Sequence, residues 1–233
     1  MACTRRRRAQ YFGVLLSAFL FAALRNSPGQ AAAPPTCLRT NQSSTGLSAI
    51  EAQIKVLRDV SFLDLENIDL RVHNFHSQAD YFRTRFSVPR FLFLKPMRYF
   101  IEVNPELFSQ QAPSDGVCAV LVHELSHVVS LNHGNRIRRF SLIRLLSTRY
   151  TARFERRTDL EAIRRGYGDG LKSYRTWVYT HIPTSALPIK RRNYFSPEEV
   201  EAIEQHLREN PELFTYWSKH TPRNLQEILK SPR

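Results

Sequence analysis

His123-Glu124-Leu125-Ser126-His127 is the stretch that decides how this chain reads. It follows Val117-Cys118-Ala119-Val120-Leu121-Val122 and precedes Val128-Val129, an apolar run whose spacing predicts a helix. On a helix, side chains four positions apart share a face. His123 and His127 can then both reach one zinc ion, and Glu124 falls where a base beside the metal would stand. Two histidines and a glutamate in that pattern point to metal-assisted hydrolysis.

The helix is predicted to start at Ser114 or Asp115, either of which can cap it, and to run to about Asn132, with Gly134 just past its end. At about 100° per residue, Cys118, Leu121, Val122, Leu125, Val128 and Val129 form an apolar stripe, with the two histidines opposite. The histidine face otherwise carries Gly116, Ala119 and Ser130, with Val120 at its edge. These small side chains leave room for a second element to approach a metal. Beyond the first turn Glu124 is the one Asp, Glu, Lys or Arg of this helix, so the helix is expected to be buried on both sides, and buried imidazoles need partners. The competing reading is a surface helix with solvated histidines, or buried ones satisfied by backbone.

Two residues compete as third ligand. His133 has the H-E-x-x-H-x-x-G-x-x-H spacing of metzincins, but Ser130 stands where that pattern has its turn-making glycine. Both methionines, Met1 and Met97, precede the motif, whereas metzincins place a methionine turn after it. On a straight helix His133 points about 80° away from His123, and the alternative for it is to meet the negative end of the helix dipole. The other candidate is Glu155, in Phe154-Glu155-Arg156-Arg157-Thr158-Asp159. Glu155 and Asp159 lie four apart on a second predicted helix. One carboxylate can bind zinc while the other accepts the N–H of a ligating imidazole and fixes its tautomer. Thr158 and Ala162 are small enough for close helix approach. Against this stands a solvated Glu155 on an arginine-rich helix, flanked by Arg153, Arg156 and Arg157.

Taken together, H-E-L-S-H and E-R-R-T-D resemble the gluzincin clan of zinc metallopeptidases, and are most similar to its CAAX-prenyl-protease-like branch and to the compact minigluzincins. The resemblance implies zinc held by His123, His127 and Glu155, with Glu124 as general base and Asp159 supporting a histidine ligand. It covers residues 98–166, and the short stretch between the motifs is as in the compact members. Thr158 stands where alanine is more usual. The integral-membrane helices of the larger relatives are missing, so their substrates do not carry over.

The first 33 residues read as a secretory signal: Arg5 to Arg8, a short apolar stretch from Tyr11 to Leu24, and Ala31-Ala32-Ala33 as a cleavage site. The alternative is retention as an N-terminal anchor. Cleavage removes Cys3 and leaves Cys37 and Cys118, a pair that an exporting compartment would oxidise to one disulfide. The net charge is +13, and the first 33 residues hold five arginines and no acid, leaving +8. Such a surface favours anionic partners, an envelope component among them, and export argues against nucleic acid.

About 200 mature residues suit one domain, 34–233, with a metal-site core over 98–166 and a helical part over 167–233. Helices are expected at Leu47–Leu57, Thr151–Arg165, Leu171–His181 and from the capping box Ser196-Pro197-Glu198-Glu199 onward, with a further helix over Phe140–Arg149. Strands are expected at Ile68–His73, Arg90–Leu94 and Arg98–Val103. The fold class is α+β, zincin-like, with a small mixed or antiparallel sheet on the metal helix. Residues 98–103 are expected to form an edge strand that receives an extended polypeptide substrate.

The function read from these residues is an exported zinc endopeptidase with Glu124 as general base. Its rival is a non-catalytic, zinc-stabilised binding protein of the cell envelope, in which Glu124 would have no task. Tyr150, Tyr167, Tyr179 and His181 are candidates for stabilising an oxyanion, and spacing singles out none of them.

Overall fold

A computed structural model of the chain describes Cys37, residues 46–133 and residues 148–231. The expected signal segment, Gly134 and the expected Phe140–Arg149 helix as far as residue 147 lie outside the described residues. The architecture is α+β, a three-stranded mixed sheet carried by helices.

The first helix, α1 (Leu47–Ser61), buries Ile50, Ile54 and Leu57, the spacing of a one-sided apolar face. The strands are β1 (Asp69–Asn74), β2 (Phe82–Phe86) and β3 (Arg98–Val103). Their spatial order is β1-β3-β2, with β1 parallel and β2 antiparallel to β3. Residues 98–103 are therefore the central strand, and the expected edge position is corrected. The cause is in the burial: Tyr99, Ile101 and Val103 are wholly buried against the helices, and both backbone edges are taken. The edge on the side of the candidate site belongs to β2.

The strand expected at Arg90–Leu94 is also corrected, because Val88–Leu92 form a short helix, α2. Pro89 cannot donate to a strand ladder, while the first turn of a helix needs no donor there. After the turn-like α3 (Glu106–Ser109) comes α4 (Ser114–His133), the histidine helix. It is buried almost all round: Cys118, Leu121, Val122, Leu125 and Val128 on one side, His123, Glu124 and His127 on the other. Next come α5 (Thr148–Arg164), carrying Glu155, and α6 (Gly168–His181).

Room for α6 on α4 comes from the small residues. A methyl group on Gly170 would stand 2.5 Å from the Asp115 carbonyl oxygen and 2.7 Å from the Ala119 Cβ, so the backbones meet closely only because Gly170 has no side chain. The chain closes with α7 (Leu187–Asn193), α8 (Pro197–Glu209), α9 (Leu213–Lys219) and α10 (Leu225–Leu229). Ser196 and Glu199 form the expected capping box at the start of α8. Cys37 and Cys118 lie at disulfide distance, with Cα atoms 6.0 Å apart. Among the described residues no helix is long and apolar enough to cross a membrane.

Candidate metal centre

Two helices build the site. α4 presents His123 and His127 from one face, and α5 crosses it with Glu155 and Asp159. Glu155 Oε2 is 3.2 Å from Nε2 of each histidine, and the three donor atoms all lie within 4.8 Å of one another. His133 ends α4, and its side chain lies outside the described residues.

The hydrogen-bond network fixes which nitrogen of each ring carries a proton. His123 Nδ1 is 2.7 Å from Asp159 Oδ1, which also accepts from Arg175 Nη2 at 3.0 Å, while Asp159 Oδ2 accepts from the Phe195 N–H at 3.1 Å. Burial would raise the Asp159 pKa, but the Arg175 charge and the His123 hydrogen bond hold it below the ordinary value, so it stays a carboxylate and His123 Nδ1 donates to it. The Thr158 hydroxyl donates to the Phe154 carbonyl at 3.0 Å and turns its lone pairs to His127 Nδ1 at 3.3 Å, so that nitrogen also carries its proton. The Nε2 atom of each ring then faces the Glu155 carboxylate. Burial would raise the Glu155 pKa too, but the His127 and His123 rings hold it well below the carboxylate range.

Three electron-pair donors converging on one point repel unless a cation lies between them. Burial alone would depress His123, but the Asp159 hydrogen bond and charge outweigh it and carry the ring to about 10. The carboxylates thus demand positive charge at this corner, and a divalent cation satisfies that demand. Donors around a tetrahedral zinc lie roughly 3.3 Å apart, close to the 3.2 Å from Glu155 Oε2 to each histidine nitrogen. Two imidazoles and one carboxylate are also a zinc-type donor set that leaves a position open. A second group of acids, Asp169, Glu201 and Glu204, does not fit a metal in the same way, because Lys172 already pairs with all three.

Glu124 faces the same cleft, and the Thr84 hydroxyl donates to its carboxylate at 2.7 Å. The cleft holds about 350 Å³ and is walled on one side by β2 and on the other by Glu124, His127, Phe154, Glu155 and Tyr194. Phe154 stacks on the His127 ring at 4.9 Å. None of Tyr150, Tyr167, Tyr179 or His181 lines it. Tyr167 meets Ser61, and His181 stacks on Trp177. The tyrosine that lines the cleft is Tyr194, whose ring lies 5.8 Å from His123 with the Arg175 guanidinium 4.2 Å over its face. Burial and then the Glu155 charge raise its pKa well above the ordinary value, so it remains a neutral donor.

Thr84 and Tyr194 are the residues that sequence reasoning missed. Thr84 reaches Glu124 across 40 positions, and no local spacing carries that signal. Tyr194 follows α7 and is fixed by its neighbour: the Phe195 amide on Asp159, and Arg156 on the carbonyls of Arg191 and Arg192. A separate cavity of about 740 Å³ lies on the other side of α5, lined by Arg149, Arg153, Arg156, Trp217 and Thr221. It contains no cluster of metal donors.

No family model, curated protein or solved structure matches this chain.

Proposed function

We propose that this chain is an exported, zinc-dependent endopeptidase of zincin-like build. The observation that carries the reading is the convergence of His123 Nε2, His127 Nε2 and Glu155 Oε2 in a cleft that also presents the Glu124 carboxylate. His123, His127 and Glu155 would hold the metal, with Asp159 and Thr158 fixing the imidazoles. Bound zinc supplies Lewis acidity, polarising a carbonyl and making water more acidic.

The other steps belong to the protein. Glu124, aligned by Thr84, takes a proton from the attacking water and passes it to the departing amine. Tyr194, kept neutral, donates to the carbonyl oxygen as it gains charge. The edge of β2 that no strand pairs among the described residues offers backbone groups to an extended polypeptide, the role first expected of residues 98–103. Export accords with the arginine-then-apolar N-terminus and with two cysteines at disulfide distance.

The test compares metal content and hydrolysis of casein and a peptide library for wild type, Glu124→Gln and Glu155→Ala. One equivalent of zinc in wild type is expected, retained in Glu124→Gln while hydrolysis falls by about 10²–10⁴-fold, and lost in Glu155→Ala. Zinc bound with no hydrolysis in any form would favour the non-catalytic envelope protein. No zinc in wild type would end both readings.

A further inference from the structure

Residues 82–98, Phe-Arg-Thr-Arg-Phe-Ser-Val-Pro-Arg-Phe-Leu-Phe-Leu-Lys-Pro-Met-Arg, hold five cations and no acid of their own; Arg83 and Arg85 pair with Glu102 and Arg98 with Asp69 on the neighbouring strands. At their tip Leu92, Phe93 and Leu94 are 59, 74 and 73 % exposed, and Val88 is 51 % exposed. Of this turn's large apolar side chains only Phe91 is buried, against Phe86. Leu94 also takes a left-handed backbone, φ 55°, which a leucine adopts at a cost and which here yields no burial. Three successive large apolar side chains held in water by a structured turn contribute almost no burial to folding, and such a patch marks a surface that is covered in use.

From this geometry we infer that the α2 turn is a membrane-docking tip that inserts Leu92, Phe93 and Leu94 among the acyl chains of an anionic lipid surface. An apolar tip with cations behind it, here Arg85, Arg90 and Lys95, is the chemistry of interfacial binding: the side chains enter the boundary region and the cations meet lipid phosphates. A second copy of the chain fits poorly, since a two-fold contact would set the same cations against one another. The tip adjoins the cleft, because Arg85, Phe86 and Val88 also line it beside Glu124. Docking would therefore hold the cleft mouth at the lipid surface. Only that consequence for substrates rests on the peptidase reading; the docking does not.

The test uses the full chain and vesicles of phosphatidylcholine, with and without phosphatidylglycerol. In Phe93→Trp the new indole should shift to the blue and be quenched by bromine-labelled acyl chains, more strongly with phosphatidylglycerol present. Taken as the difference from wild type, whose Trp177 and Trp217 also emit, that readout is local, so binding through the N-terminus cannot imitate it. The triple change Leu92→Ser, Phe93→Ser, Leu94→Ser should weaken vesicle partitioning by about tenfold or more while the circular dichroism and melting curve stay as in wild type. An unquenched indole overturns the inference. So does a self-association that the triple change abolishes without any quenching, or capture of the tip by an acidic polypeptide in preference to anionic vesicles.

Discussion

The carboxylate of Glu124, the proposed base, is oriented by a residue forty positions away. Thr84 offers that carboxylate one hydroxyl proton, and the same oxygen lies 3.2 Å from the Glu124 carbonyl. Thr84→Val keeps the shape and the strand propensity but removes the donor. It should lower kcat by about tenfold and leave zinc content unchanged. Tyr194→Phe should cost about 10²-fold in kcat with KM nearly constant, the mark of a group that acts as charge develops; equal activity in the two proteins would remove Tyr194 from the reaction. The contrast with the ligands explains what could be read in advance. His123 with His127, and Glu155 with Asp159, are each four apart on a helix, so local periodicity announces them. Thr84 and Tyr194 reach the cleft through sheet register and a turn, and such proximity leaves no trace in spacing. Arg175 is a third such case, buried between Asp159 and Tyr194. Burial works to raise the Asp159 pKa, yet Arg175 and His123 hold it below its unfolded value of 3.8. A depressed folded-state pKa stabilises the fold above the unfolded value, and that share is lost as pH falls through the folded one. In Arg175→Met the loss should begin at higher pH, seen as urea midpoints that part from wild type between about pH 3 and 6.

At the scale of elements, the crossing of α4 and α6 is the contact that least tolerates change. Gly170 there abuts the backbone of Asp115, which a side chain cannot displace cheaply. Gly170→Ala should destabilise by about 2–3 kcal/mol in denaturant unfolding and loosen zinc retention, because α4 carries both histidines. A variant as stable as wild type would show that the helices can separate without penalty. The sequence indicated small residues on the histidine face of α4 and a second element approaching them. It did not indicate that Gly116 and Ala119 receive α6 while His123 and His127 receive α5. Strand 98–103 was legible as a strand from its alternation but not as the centre of the sheet, since alternation reports which face is buried and is silent about which edges are paired. The run Phe91-Leu92-Phe93-Leu94 looked like a strand because apolar runs of that length do not distinguish strand from helix. Pro89, placed in a first helical turn where no N–H donor is needed, decided for the helix.

For the whole molecule, the link between Cys37 and Cys118 spans 81 positions and ties the segment before α1 to the first turns of the metal helix. In the oxidised protein, reduction or Cys37→Ser should cost about 2–4 kcal/mol in unfolding free energy, the loop-closure contribution for a long loop. Intact-mass measurement before and after alkylation checks the bond, and finding two free thiols would remove it from the account. The order of synthesis also bears on when the site can exist at all. Asp159, which orients His123, takes one of its hydrogen bonds from the Phe195 amide, and the cleft wall includes Tyr194. The histidines leave the ribosome some seventy residues before these partners. While the chain is being made, the cleft lacks its last wall and its anchored carboxylate until position 195 has emerged. A product truncated short of that point carries the full five-residue motif and both carboxylates of α5, and still lacks a finished site.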